Sequence, residues 1–585
     1  MASDQLSKSE AALRRFQIES LLTFCAAAAP VVFLAFLVLR YAVSIPMLDD
    51  WEMVDIVTKA HNGGLTFVDL FAQQEEARTF FPRLVFILCT FGKYWDGRIE
   101  MMLSILICCL TSLGIYLLLG KSGLTKAART AVFLLMVLLI FSPVQHELWL
   151  LASGFPSFIP ALCVVWGIFV TQTRFSIATK FWICLALAVF SSFTLAHGLL
   201  AWGLTFPLVF ATQPVPGRKR WLGFWLLACV GCAAIYFWHF HPPPDLPPFA
   251  PRKSLFDYVQ YVSAFLGSGL ARTGTDRPLA LSIVAGLILL LGYIAALGHS
   301  IFHWRDRAYR ARVLPWITLG AYSVGSGCLA ALGRIEWGVT QALESRYVAF
   351  SLYLTVAMIA LVAIFITEFS KNQRGARARP AVFAATIFLC GIYLTLELWC
   401  AVASVPLFRL RSAAARLGHG AVLFSQVVDT SETIRKMNYP RATFVRQNAD
   451  TLDRLHLLRT PLVRTTEVNK LRHTDASAEG VAGWFDGLSV SDKGVATAVG
   501  WAVVPGKGRP ADCVVLAYEG ERNEWNIFAL SNAVLKRSDV AASLRSPDHL
   551  WSGWSVVFPR DAVPKGAKIS AWAVDAKDAK LYRLK

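Results

Sequence analysis

Residues 19–41 read ESLLTFCAAAAPVVFLAFLVLRY, and residues 46–83 read PMLDDWEMVDIVTKAHNGGLTFVDLFAQQEEARTFFPR. The first run is apolar over the roughly 20 residues that carry a helix through a hydrocarbon core. The second starts at Pro46, which breaks the helix there, and sets Asp49 beside Asp50 where the first helix leaves lipid. It closes on an Arg- and Phe-rich cluster, Arg78, Phe80, Phe81 and Arg83. Ionisable groups are expensive at a bilayer boundary, so they mark function there.

The rest of the chain repeats the apolar theme. Of its 585 residues 55% are hydrophobic and 16% charged, against roughly 25% charged in soluble domains. Apolar runs at 19–41, 100–119, 129–143, 155–171, 181–197, 198–212, 221–239, 279–302, 313–333, 348–368 and 381–402 predict a polytopic α-helical membrane protein with about eleven transmembrane helices. The run at 84–92 is too short to cross. The Pro-rich 241–251 segment and the residues after it read as a stiff loop and an amphipathic helix at the membrane interface.

Basic residues fall in alternate short loops: Lys8, Arg14 and Arg15, then Lys121, Lys126 and Arg129, Arg174 and Lys180, Arg218 to Arg220, Arg305 to Arg312, and Lys371 to Arg379. This asymmetry predicts a cytoplasmic N-terminus 1–18 and a loop 42–98 on the opposite, periplasmic face of a bacterial inner membrane. The net charge of +18 then reports topology and not nucleic-acid binding. The first apolar run exceeds a signal-peptide core and has no Ala-x-Ala site, so it reads as a retained helix. Most of the 12 Cys lie in apolar runs; no disulfide framework or zinc spacing is visible.

Composition changes near residue 403. A mixed segment, 403–477, reads as a helical linker above the 19–402 membrane domain. From 478 to 585, short alternating runs such as VATAVGWAVV, DCVVLAYEG and KISAWAVDA, parted by turns such as PGKGRP, predict a small all-β sandwich. Its Trp484, Trp501, Trp551, Trp554 and Trp572 read mainly as core.

The long loop supplies the candidate site. Asp49 and Asp50 open it, a short helix follows from Trp51, His61–Gly64 is a turn, a second short helix runs to Phe71, and Glu75, Glu76, Arg78 and Arg83 lead back to lipid. A second constellation, GRIEWGVTQALESRY at 333–347, carries Arg334, Arg346 and Tyr347. The planar guanidinium fork suits phosphate oxygens. Gln145 and Glu147, with His146 and Trp149, and the lone His197 fall on the same predicted side. No residue is assigned as a metal ligand.

In this layout the chain resembles the GT-C superfamily of membrane glycosyltransferases over about residues 20–400. Leu48-Asp49-Asp50-Trp51 stands where those enzymes carry an acidic pair at the start of the first outer loop. Phe81-Pro82-Arg83-Leu84 stands in place of a His-Pro-Pro-Leu-like turn and lacks its His. FGKYWDGRIEMM, with Gly97-Arg98, is similar to the family's entry to the second long span. GWAVVPGKGRPADCVVLAYEG and Arg537-Ser538-Asp539-Val540 are similar to small β domains beside bacterial surface-polysaccharide glycosyltransferases.

The resemblance implies a polyprenyl-phosphate-linked sugar as donor and a lipid or glycan acceptor. It implies Asp50, or Asp49, as general base, with Asp50 favoured as lying further from the bilayer. Arg83, Arg334 and Arg346 would receive the departing phosphate, and help from a divalent cation (Mg or Mn) is left open. A single base acting in line would invert the anomeric centre. Two other classes fit the same topology: a lipid-linked-sugar transporter or flippase, and a non-catalytic scaffold bearing a carbohydrate-binding β domain.

Overall fold

A computed structural model describes the backbone at all residues except 1, 243–252, 272–277, 372–378, 438, 475–480, 493 and 523. Side chains are described from residue 21 onward, apart from those same residues and 371–383, 385 and 386. Most of the Pro-rich segment and of the last basic loop lies outside the described residues, as do the side chains of Lys8, Arg14 and Arg15.

Among the described residues, eight helical segments are long and apolar enough to cross a membrane: Leu21–Tyr41, Arg98–Leu119, Lys126–Trp149, Ala152–Thr171, Leu279–Phe302, Arg307–Trp337, Ser345–Ser370 and Ile387–Leu423. Three of the eleven expected crossings are absent from that set. Ile177–Ser192 and Ala196–Thr212 are too short, and Pro207 interrupts the second of these. Arg218–Tyr236 opens on three cations that dilute its apolar run. Side chains such as Leu22, Phe24 and Phe36, Ile288 and Leu291, and Phe388 and Val402 are exposed along the outermost helices. In water such a belt would drive association; around a bundle of this kind it matches lipid.

The composition change at 403 does not end a helix. Arg379–Leu423 runs unbroken for 45 residues, roughly 65 Å at 1.5 Å per residue, more than twice the ~30 Å hydrocarbon thickness. Its apolar half belongs to the bundle and its amphipathic half stands beyond it. Helices Ser431–Met437 and Ala442–Arg454 then fold back onto the 42–98 loop: Tyr439 donates to Glu52 at 2.7 Å, Asn448 to the Trp51 carbonyl at 3.4 Å, and the Trp95 amide to the Leu457 carbonyl at 2.9 Å.

The C-terminal region is β-rich and begins slightly before the expected boundary. Strands β1 (Arg472–Thr474), β2 (Gly483–Val490), β3 (Val495–Val504), β4 (Arg509–Pro510), β5 (Cys513–Glu519), β6 (Trp525–Leu530), β7 (Ala533–Leu535), β8 (Gly553–Pro559), β9 (Ile569–Asp575) and β10 (Lys580–Arg583) form two sheets. One has the order β1-β10-β9-β5-β6 and the other β2-β3-β8-β7, with β4 on β3. Along β5 the alternation sends Val514 and Leu516 into a core shared with β3 and β8, while Cys513, Val515 and Ala517 join the core of the helical part. The first sheet is therefore buried on both faces, which is why DCVVLAYEG reads as a continuous apolar run.

Gly420 lets the long helix approach this sheet, because a Cβ there would collide with the Cys513 sulfur. A second tie lies at the bundle's end, where Asp548 accepts hydrogen bonds from Arg40 (2.7 Å), Tyr41 (2.8 Å) and Arg409 (3.1 Å). Trp554 and Trp572 are buried as expected of core; Trp484 is 49% exposed and faces outward beside Trp501 across β2 and β3.

Candidate active site

Leu48–Met53 coils into a tight 3-10 turn, in which successive side chains point about 120° apart, so the two aspartates diverge. Asp50 turns inward and is 1% exposed. Its carboxylate accepts the Met47 amide at 3.0 Å and the Ser153 amide at 2.7 Å, pinning the start of the loop to the 152–158 segment. Burial pushes this carboxyl up to about 7, against the opposing pull of those two amides. Asp49 turns outward and reaches solvent. Surrounding protein and the charges of Glu52 and Glu76 raise it above the usual carboxylate range, with Arg346 pulling the other way. A group that reaches water yet is strongly desolvated lines a recess.

The chain returns to the same recess through a two-residue hairpin, in which the Gln74 amide donates to the Ala77 carbonyl at 2.8 Å and the Ala77 amide to Gln74 at 2.9 Å. Glu75 at its tip has φ +47, and Leu48, just before the aspartates, has φ +49. Left-handed backbone at non-glycine residues costs energy and collects at functional sites. Gln74 donates to Glu52 at 2.9 Å and Tyr236 to the Glu76 carbonyl at 2.8 Å, so the strained tip is held from both sides. Glu76 meets Arg334 at 2.6 Å and Glu75 meets it at 3.7 Å. Glu75 is exposed at the hairpin tip, yet desolvation by the surrounding protein, then the charges of Glu76 and Asp49, lift it to about 7.

Arg78 and Arg83 do not face this recess. Arg83 Nη1 donates to the carbonyls of Asp69 (2.9 Å), Leu70 (3.1 Å) and Ala72 (2.5 Å), the unpaired acceptors at the end of the Phe67–Phe71 helix. Arg78 donates to the carbonyls of Phe71 (2.8 Å), Tyr236 (2.5 Å) and Trp238. Both guanidinia are engaged by backbone carbonyls at the helix ends around the loop, Arg83 in place of the departing phosphate expected there and Arg78 in place of substrate.

Arg346 is presented differently. The Ser345–Tyr347 turn is fixed by Ser345 donating to the Val144 carbonyl at 2.6 Å and by the Arg346 amide donating to Glu147 at 3.1 Å. Glu147 also meets Arg411 at 3.5 Å, so it acts as a brace. The Arg346 guanidinium is exposed, lies over the Tyr347 ring at 5.7 Å and forms no ion pair among the described residues. Asp49 is among the charges within its electrostatic reach. Gln145 is buried and donates to the Ile140 carbonyl at 2.9 Å, which caps a helix end. His197 stacks on Phe350 at 4.3 Å, within electrostatic reach of Glu76 and Arg334.

The structure thus gathers Asp49, Glu75, Glu76, Arg334, Arg346, Tyr347 and His197 at one end of the bundle, and gives Asp50, Arg78, Arg83, Gln145 and Glu147 to its scaffolding. Sequence reasoning passed over Glu52, which the WEMV stretch offered as a third acid, and Tyr236, which carried no signal. It also passed over Glu397, an acid inside the apolar run TLELWC. That residue is 2% exposed and faces the Ser142 side chain without a well-formed hydrogen bond among the described residues. No group of three His, Cys, Asp or Glu close enough to hold a metal ion occurs among the described residues. Neither a protein-family model, nor a curated protein, nor a solved structure matches the chain.

Proposed function

We propose that the chain is a membrane glycosyltransferase that moves a sugar from a polyprenyl-phosphate carrier to a lipid or glycan acceptor. Asp49 takes the proton of the acceptor hydroxyl. The acceptor oxygen bonds to the anomeric carbon as the bond to the phosphate breaks, and the phosphate leaves with its electron pair toward Arg346. One in-line displacement of this kind inverts the anomeric centre. Asp49's raised pKa suits it to the proton transfer, since a base is most effective with a pKa near the working pH. Arg346, whose guanidinium is exposed and forms no ion pair among the described residues, is the cation able to meet a new anion.

A single observation carries the reading: an accessible carboxylate, Asp49, and an accessible guanidinium without an ion pair among the described residues, Arg346, are distant in sequence yet lie within electrostatic reach of each other. The likeness to the GT-C superfamily agrees with it through Leu48-Asp49-Asp50-Trp51. On this reading the recess faces the periplasm of a bacterial inner membrane, with the N-terminus cytoplasmic, and the two sheets form a periplasmic sandwich.

The test is turnover by the purified, reconstituted protein with a panel of polyprenyl-phosphate sugars and cell-envelope acceptors. Asp49→Asn should lower the rate by about 10²–10⁴-fold with the fold intact. Unchanged turnover in that variant removes the proposed base.

Glu397 favours one rival, a proton-coupled transporter of the same lipid-linked sugars, because acids buried within a span mark proton pathways. Counterflow of labelled lipid across proteoliposomes that is lost in Glu397→Gln, with no sugar transfer in the wild type, would select that reading.

A further inference from the structure

We propose that Glu76 and Arg334, backed by His197, form a subsite for an uncharged, hydroxyl-bearing sugar ring, separate from the anion position at Arg346. The proposal rests on the glycosyl-transfer reading of the recess and divides it into two halves.

Charge separates them first. Arg334 is one cation against two carboxylates, Glu76 at 2.6 Å and Glu75 at 3.7 Å, so an incoming phosphate there meets like charge and is disfavoured. At Arg346 the charges of Glu147, Glu344 and Asp49 act from further off, and none forms an ion pair with its guanidinium among the described residues. Hydrogen bonding then says what the first half accepts. Arg334 Nη1 and Glu76 Oε2 are both buried and have no hydrogen-bond partner among the described residues, although the two side chains are joined through their other atoms. Buried polar atoms are normally satisfied, and an exception requires a cause.

An unfilled donor beside an unfilled acceptor is the complement of a vicinal diol, in which one hydroxyl accepts and the next donates. A phosphate offers acceptors alone and cannot satisfy Glu76. Two flat surfaces fit the same ligand. The Arg334 guanidinium covers the Trp337 ring at 4.9 Å, and Trp337 is half exposed, leaving an aromatic surface for the apolar face of a sugar. His197, fixed on Phe350, adds a ring whose nitrogens make no well-formed hydrogen bond among the described residues, the Ser326 backbone being the nearby group.

The experiment compares binding of sugar-free polyprenyl phosphate with that of polyprenyl-phosphate glucose, mannose, galactose and N-acetylglucosamine to the full chain in nanodiscs. Wild type should prefer at least one sugar-bearing lipid. Glu76→Gln and Arg334→Gln should each cut that preference by about tenfold, the worth of one hydrogen bond to a charged group, and leave sugar-free lipid within about twofold of wild type. Arg346→Gln should weaken all the lipids alike.

Unchanged preference in Glu76→Gln and Arg334→Gln overturns the subsite while leaving the transferase reading standing. So does a loss of sugar-free lipid in Arg334→Gln equal to that in Arg346→Gln, which makes Arg334 a phosphate ligand. Failure of wild type to bind any of the lipids overturns both. Glu76→Gln is nearly isosteric, so it decides the matter if Arg334→Gln does not fold.

Discussion

Asp50 gives the sharpest test of the structure, because its neighbour in sequence does something different. Asp50→Ala strands two buried amides, those of Met47 and Ser153, at about 1–3 kcal/mol each, or about 2–6 kcal/mol together. Asp50→Asn keeps one acceptor and resembles the protonated acid. Its effect depends on pH, and the sign follows from the raised carboxyl. A folded-state value of about 7 against the ordinary aspartate value of 3.8 means that the folded protein binds the extra proton between those limits. Wild type therefore loses stability through this group as pH rises from about 4 to above 7, by on the order of 4 kcal/mol. Asp50→Asn should lack that loss. The assay is thermal unfolding in detergent with a thiol-reactive dye, since Cys108, Cys163, Cys184 and Cys513 are buried and free, scanned at fixed rate from pH 5 to 8. Asp50→Ala should unfold earliest at pH 5, where the wild-type carboxyl is still protonated, and both Asp50→Ala and Asp50→Asn should gain on wild type as pH rises. A stable alanine variant, or identical pH slopes for wild type and Asp50→Asn, would refute the bracing role.

Asp49→Asn should leave the unfolding temperature within about 1 °C of wild type, because an exposed carboxylate contributes little to stability; a large drop would show that Asp49 also holds the loop. Glu75 titrates near 7 and is protonated below that value, so anionic polyprenyl phosphate should bind more tightly at pH 6 than at pH 8. Glu75→Gln should flatten that dependence, and a slope that survives the change assigns it elsewhere. Gly420→Leu should prise the long helix from β5; protease release of the C-terminal region and labelling of Cys513 would both rise, and unchanged protection would contradict the packing.

The spans were legible wherever about 20 apolar residues ran without interruption, and Asp49, Arg334 and Arg346 were legible because charge beside such runs is costly. What the sequence did not disclose is long-range. Arg83 and Arg346 look alike in one dimension; carbonyls at the end of a short helix separate them. Which aspartate faces water is set by the Ser153 amide, contributed by another part of the bundle. Strand β2 escaped notice because a register shift between Phe485 and Gly487 breaks its alternation. The boundary at 403 misled for a related reason, since a helix that leaves lipid changes composition without changing conformation.

The ties of Glu52, Trp51 and Trp95 to residues near 440–457, and of Tyr41 to Asp548, bear on biogenesis. The acid-bearing loop is translated well before these partners, which follow it by about 360 to 510 residues. Until those partners emerge, it is held by nearer contacts such as that of Asp50 with the Ser153 amide. Removing residues 439–457 would thus be felt in the 42–98 loop, far away in sequence.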